Sequence, residues 1–414
     1  MASVFSLGHL GSDELAASAL ASMLATVSGW AVGIGLVTAL DTLCSQSFTG
    51  ARDKHAVGTY LQRGLLATAA CHVPIVAIWL WSEPLLLALN QDPTIAHFAG
   101  LYLRYLTLGC LPNLWFECVK RYLQAQGIMH ASTLVLCIVA PVNMLTNYAL
   151  VWWEPISLGF IGAPLATAFS YWLMFALLVL YTIYVDGYQA WGGWSRRAFH
   201  KLDEFMRLGL PGIVTTCAEW WAFEVVALIV SYLGNVPLAA QSVILTTSAF
   251  TFQIPQGIGV SCSNRVGNLL GAGQAQHARI AGMVAMTFAA VLGILCSLFF
   301  IAVGSWWGRV FTDSLPVIEL VAQLMKIGAI YQICDGISTV IGGILRGQGR
   351  QKVSAMLMLI AYYVVALPLG VFCGFYLEMG IMWVFVRTDW NYEVYKCQKL
   401  VGDEGAEFLT PALP

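Results

Sequence analysis

Three carboxylic acids stand where an acid is costly. Glu219 and Glu224 lie in the apolar block 208–233, within Ala218-Glu219-Trp220-Trp221-Ala222-Phe223-Glu224, and Asp335 lies in the block 317–345 beside Ile333 and Cys334. An ionisable group in the middle of a membrane-spanning helix costs about 2.5–3.5 kcal/mol on insertion scales, so it usually faces a cavity or a partner. No lysine or arginine stands at comparable depth as an obvious ion-pair partner in the sequence. A carboxyl taken out of water favours its protonated form. It can give up that proton when a cation arrives, and such an exchange is what an antiporter requires. The same acids could instead bond backbone or hydroxyl groups and fasten helices, a reading that applies most to Glu224. At 100° per residue, a spacing of five sets Glu219 and Glu224 about 140° apart on their helix, so they need not share a face. Trp220, Trp221, Phe223, Phe252 and Tyr331 could offer ring faces to an organic cation, or serve as packing and interfacial anchors. Asp41 follows the first apolar block and reads as a cap or loop-fixing residue.

The elements that carry these residues are long and apolar. Of 414 residues, 59% are hydrophobic and 10% charged, with a mean hydropathy of +0.74. Soluble domains carry roughly 25% charged residues, so a soluble nucleic-acid binder is excluded. Blocks of about 20 apolar residues match the hydrocarbon thickness and satisfy their own backbone as helices. Ten such blocks are expected, near 15–36, 61–81, 98–119, 132–151, 161–185, 208–233, 238–260, 280–306, 317–345 and 353–377. Pro141, Pro211 and Pro255 interrupt blocks and free carbonyls for kinks or hinges. Most of the 11 cysteines sit inside apolar blocks and read as small fillers, and no CxxC or His-x-x-x-His pair argues for a metal. No metal or other cofactor is expected. The N-terminal stretch has no basic region before its first apolar run and does not read as a signal peptide.

Loop charge assigns sides. Alternate loops hold Arg52, Lys54 and Arg63; Lys120 and Arg121; Arg196, Arg197, Lys201 and Arg207; Arg265 and Arg279; and Arg346, Arg350 and Lys352. The opposite loops hold Arg309 alone. The positive-inside rule makes the rich loops cytoplasmic. Ten spans then leave Arg387, Lys396 and Lys399 of the tail on the wrong side, which argues for a span absent before Arg387. A weak repeat links Cys44-Ser45-Gln46 with Gly50-Ala51 to Cys262-Ser263-Asn264 with Gly271-Ala272. It also links Tyr122-Leu123-Gln124-Ala125-Gln126-Gly127 to Ile344-Leu345-Arg346-Gly347-Gln348-Gly349. Offsets of 221 and 222 residues place the copies on the same side, as in two parallel helical halves.

Several motifs, in order, resemble the multidrug and toxin extrusion family in its eukaryotic form. They are Leu40-Asp41-Thr42-Leu43-Cys44-Ser45-Gln46 with Tyr60-Leu61-Gln62-Arg63, the 122–127 run, Gly162-Ala163-Pro164 and Leu208-Gly209-Leu210-Pro211. Glu219-Trp220-Trp221 with Glu224, Arg265-Val266-Gly267-Asn268 and Gly342-Gly343-Ile344-Leu345-Arg346-Gly347 complete the series. The resemblance implies an all-α integral membrane protein of two pseudo-symmetric lobes. The lobes would be 1–190 and 208–386, joined by a cytoplasmic loop 191–207 and followed by a polar tail 387–414. It implies that Glu219, Glu224 and Asp335 are the substrate- and proton-binding acids; Trp220, Trp221, Phe252 and Tyr331, by their residue types, could supply an aromatic lining beside them. Thr246 stands where animal members place a further glutamate. The implied function is export of organic cations and xenobiotics in exchange for protons, or else sodium, by a monomer in a plasma or vacuolar membrane. The pattern departs at both ends, with the family's first helix and most of its twelfth expected to be absent. A shortened, transport-inactive member or a mis-assembled gene model is therefore the alternative.

Overall fold

In the computed structural model, residues 6–8, 10–232 and 234–372 are described, and all their regular secondary structure is helical. The elements are α1 (Ser12–Gly50), α2 (Ala56–Leu80), the short α3 (Ser82–Ala88), α4 (Pro93–Ala125), α5 (His130–Trp152) and α6 (Gly159–Tyr184). They continue with α7 (Leu202–Ser231), α8 (Asn235–Gly271), α9 (Ala275–Val310), α10 (Leu315–Gly347) and α11 (Gln351–Val371).

Local chemistry sets the ends. At the start of α4, the Asp92 carboxylate accepts from Thr94 N at 2.9 Å, and Pro93 occupies the first helical position, where no donor is needed. After α4 and α10 the chain reverses through Gly127 (φ 86°) and Gly349 (φ 74°), the two glycines that end the repeated motif. Among the described residues, eight helices are both long and apolar enough to cross a membrane. The remaining two long ones, α4 and α8, are more polar. α4 carries Arg104, Glu117, Lys120 and Arg121, and α8 is rich in serine and threonine. Those hydroxyls satisfy themselves: Ser242, Thr246 and Thr247 each donate to the carbonyl one turn earlier at 2.7–3.0 Å.

The chain divides into two compact units between Cys217 and Ala218, inside α7. The first unit holds α1–α6, the segment that follows α6, and the first half of α7. Gly35 lies against the Ile213 backbone, where an added Cβ would come within 2.6 Å of Cα. Its core centres on fully buried Trp79, whose indole N–H donates to Ser28 Oγ at 2.9 Å and whose ring meets Trp30 edge-on at 5.7 Å.

The second unit packs the rest of α7 with α8–α11. One apolar cluster includes Val230, Ile244, Phe300, Val321 and Leu324, and another includes Cys262, Val266, Ala289 and Ile344. α8 and α10 cross at Gly259 and Gly343, so close that a Cβ on Gly343 would stand 2.9 Å from the Gly259 carbonyl carbon. Small residues permit such crossings in a membrane, where lipid tails are as apolar as leucine and association depends on close packing. The expected remnant of a twelfth helix, the tail 387–414 and the end of the 353–377 block lie outside the described residues.

Candidate functional site

A cavity of about 370 Å³ opens within the second unit. Four helices wall it, and three of them contribute a stripe at helical spacing. α7 supplies Glu219, Phe223 and Val226; α8 supplies Leu245, Ser248 and Phe252; α10 supplies Leu324, Gly328, Tyr331 and Asp335. The fourth wall comes from α11, where the backbone departs from the α-helix into a π turn, Ile360–Ala366, that brings Tyr362 and Leu367 to the cavity. Phe223 and Tyr362 are in ring contact at 6.4 Å. Such turns are rare and often mark functional sites.

Glu219 and Asp335, from helices more than a hundred residues apart in sequence, therefore face the same space, and Trp220, Phe252 and Tyr331 line it with them. Glu224 and Trp221 are not on the lining. Glu224 is half-buried and Trp221 is 41% exposed, as follows from their rotation away from Glu219 on α7. The Asp335 carbonyl accepts from Thr339 Oγ1 at 2.8 Å, and Gly336 packs near Pro255, so α8 and α10 hold this level of α10 closely. Around the acids the walls are aromatic and aliphatic, with Ser248 and Gln253 as further polar groups. The arrangement suits a flat or compact apolar cation: rings for its body, carboxylates for its charge.

Sequence reasoning missed Tyr362, Ser248 and Gln253. Ser248 and Phe252 are four apart on one face, a spacing that could have found Ser248 once Phe252 was chosen. Nothing in the sequence announces the π turn that turns Tyr362 inward.

A second polar feature lies in the first unit. Asp41 is 1% exposed, and Arg121 of α4 donates through one nitrogen to both its oxygens, at 2.9 and 3.1 Å. The residue read as a cap is a buried ion-pair partner that ties α1 to α4. The intervening 80 residues hide that pairing from the sequence.

A multi-span helical bundle with an acid- and aromatic-lined cavity is an architecture suited to a membrane transporter, and known proteins of similar sequence and fold agree. The sequence model described as MatE matches residues 1–149 and 211–372. An uncharacterized transporter of Schizosaccharomyces pombe is 40% identical over 92% of this chain and 71% of its own length. Multidrug and toxin extrusion protein 1 of Homo sapiens is 36% identical over 92% of this chain and 66% of its own. The crystal structure of the eukaryotic MATE transporter AtDTX14 superposes with a TM-score of 0.89 at 26% identity, covering 98% of this chain and 92% of that one. The chain belongs to the MatE family. It is a multi-pass membrane transporter of small molecules, of the eukaryotic type, and not an enzyme.

Proposed function

We propose that the protein exports organic cations or xenobiotics in exchange for protons, with Glu219 and Asp335 as the groups that hold either the cation or a proton. One observation supports this above the others: two acids from separate helices line a single cavity whose walls are otherwise mostly aromatic and aliphatic. Two carboxylates that border one cavity repel each other, and either a proton on one of them or a cationic guest relieves that repulsion. A proton on one of them and a cationic guest are therefore alternatives. If the two ligands bind two orientations of the transporter unequally, their exchange shifts the population between those orientations, which is all that coupling requires. The relatives named for multidrug and toxin extrusion make a xenobiotic guest the natural class.

The test is uptake of a fluorescent organic cation into proteoliposomes under an imposed pH gradient. Transport driven by the proton gradient, lost in Glu219→Gln and in Asp335→Asn, is the expected outcome. Transport that persists at full rate in Glu219→Gln would overturn the assignment. A sodium gradient that replaces the proton gradient would assign the coupling to sodium instead.

A further inference from the structure

The segment between α6 and α7 is fastened down rather than slack. Tyr122 Oη donates to the Gly187 carbonyl at 2.7 Å. The Gln62 amide holds the backbone at two points, with Nε2 donating to Gly193 O at 2.7 Å and Oε1 accepting from Ser195 N at 2.9 Å. Arg63 Nη2 donates to Arg197 O at 3.4 Å. Ala190 and Ala198 turn inward and are buried. With the backbone and these alanines fixed, two rings stand outward: Trp194 is 80% exposed and Phe199 66%. Trp191 props Trp194 edge-on at 5.3 Å.

Between Asp186 and Asp203 the charges of the segment itself have one sign. From Gly187 to Leu202 there are Arg196, Arg197 and Lys201 and no acid. Lys201 is already engaged by Glu204 at 2.8 Å, and Asp186, just before the segment, accepts from Gly187 N and the Gln189 amide. Arg196 and Arg197 are exposed and make no ion pair among the described residues. The segment leaves α6, a helix long and apolar enough to span a membrane, beside Tyr184 and Val185, which are 79% and 62% exposed.

We infer that this segment is a lipid-reading surface of the basic side of the membrane, built for an anionic glycerophospholipid such as phosphatidylserine. Trp194 and Phe199 seat among the headgroups, where indole and phenyl rings are favoured. The two guanidinium groups between them pair with the lipid phosphate and carboxylate, which their planar forks match. Charge complementarity selects this occupant, since the segment offers two unengaged cations between two rings, while the bordering Asp186 and Glu204 already have partners. Near an anionic leaflet each basic residue is worth roughly fivefold in association. The Gln62 clamp makes this a fixed site on the first unit. The inference needs no assumption about what the protein transports.

The experiment is tryptophan quenching of the full chain in bilayers of phosphatidylcholine and phosphatidylserine, with bromine on the acyl chains of one lipid or the other. The Trp194 signal is the difference between the native protein and Trp194→Phe. Stronger quenching by brominated phosphatidylserine than by brominated phosphatidylcholine at equal mole fraction is expected. That excess should fall several-fold in Arg196→Gln/Arg197→Gln and in high salt, while quenching by phosphatidylcholine stays. Equal quenching by the two lipids would overturn the headgroup preference. No quenching by either would overturn the membrane contact altogether and reassign the rings to a protein partner or a second copy. Both arginines are exposed, so the double variant should fold, and unchanged thermal unfolding in detergent checks that it does.

Discussion

Glu219 and Glu224 share a helix and a residue type, yet only Glu219 borders the cavity. Substitution should separate them. Glu224→Gln should leave gradient-driven cation transport largely intact, whereas Glu219→Gln removes it; equal loss in both would place the working acid elsewhere. The rings are expected to act on affinity. Phe252→Ala or Tyr362→Ala should raise the half-saturating cation concentration by about 2- to 30-fold, the range from an exposed to a desolvated ring–cation contact, and a titration of transport rate checks it. The Asp41–Arg121 pair belongs to a different kind of chemistry, that of stability. Asp41→Ala leaves a guanidinium buried without its carboxylate, a loss on the order of 3–5 kcal/mol, visible as a lowered melting temperature in detergent. Asp41→Leu combined with Arg121→Met should recover much of it, because an apolar pair of similar volume replaces two desolvated charges. Glu219 and Asp335 were legible in the sequence because a carboxylate inside an apolar run has few innocent explanations. Arg121 was not, since it stands at the end of its block, where basic residues are ordinary.

Among the helices, the long apolar blocks were readable from hydropathy, and their ends were less so. α4 reaches from Pro93 to Ala125 and α8 from Asn235 to Gly271, well past the expected 98–119 and 238–260. In both, polar residues continue the helix because their partners lie within the unit: Arg121 finds Asp41, and Thr247 receives the Trp307 indole N–H at 2.9 Å. A hydropathy window sees only the loss of apolar character. Helix contacts give a sharp contrast between two glycines of similar setting in the sequence. Gly343 meets the backbone of Gly259, which cannot move aside, while nothing lies within 4 Å of a Cβ placed on Gly257. Gly343→Ala should therefore lower the melting temperature clearly and Gly257→Ala should not. Similar losses from both would mean that the α8–α10 crossing is not as tight as described.

At the scale of the molecule, each compact unit keeps its own polar assembly: an ion pair and a clamped segment in the first, an acid-lined cavity in the second. The motif repeat hinted at two like halves, but it gave no sign that they would be equipped so differently. The clamp also has a consequence for accessibility. Gln62→Ala frees Gly193 and Ser195 from their side-chain anchors, so trypsin added on the basic side should cut at Arg196 or Arg197 much faster than in the native protein. Unchanged cleavage would mean that Tyr122 and the inward alanines hold the segment unaided.

The π turn of α11 is, in effect, a helix with one residue to spare. Taking out Val364 would let the chain wind on as an ordinary helix, and the residues after it would keep close to their present places, because a π turn takes up its extra residue within itself. Tyr362 and Leu367 would then still reach the same space, so a protein shortened by that single residue should still melt cooperatively and still hold its cation, whereas removing Leu357 from the regular helix ahead of the turn, which swings its two sides apart by about 100°, should weaken that hold.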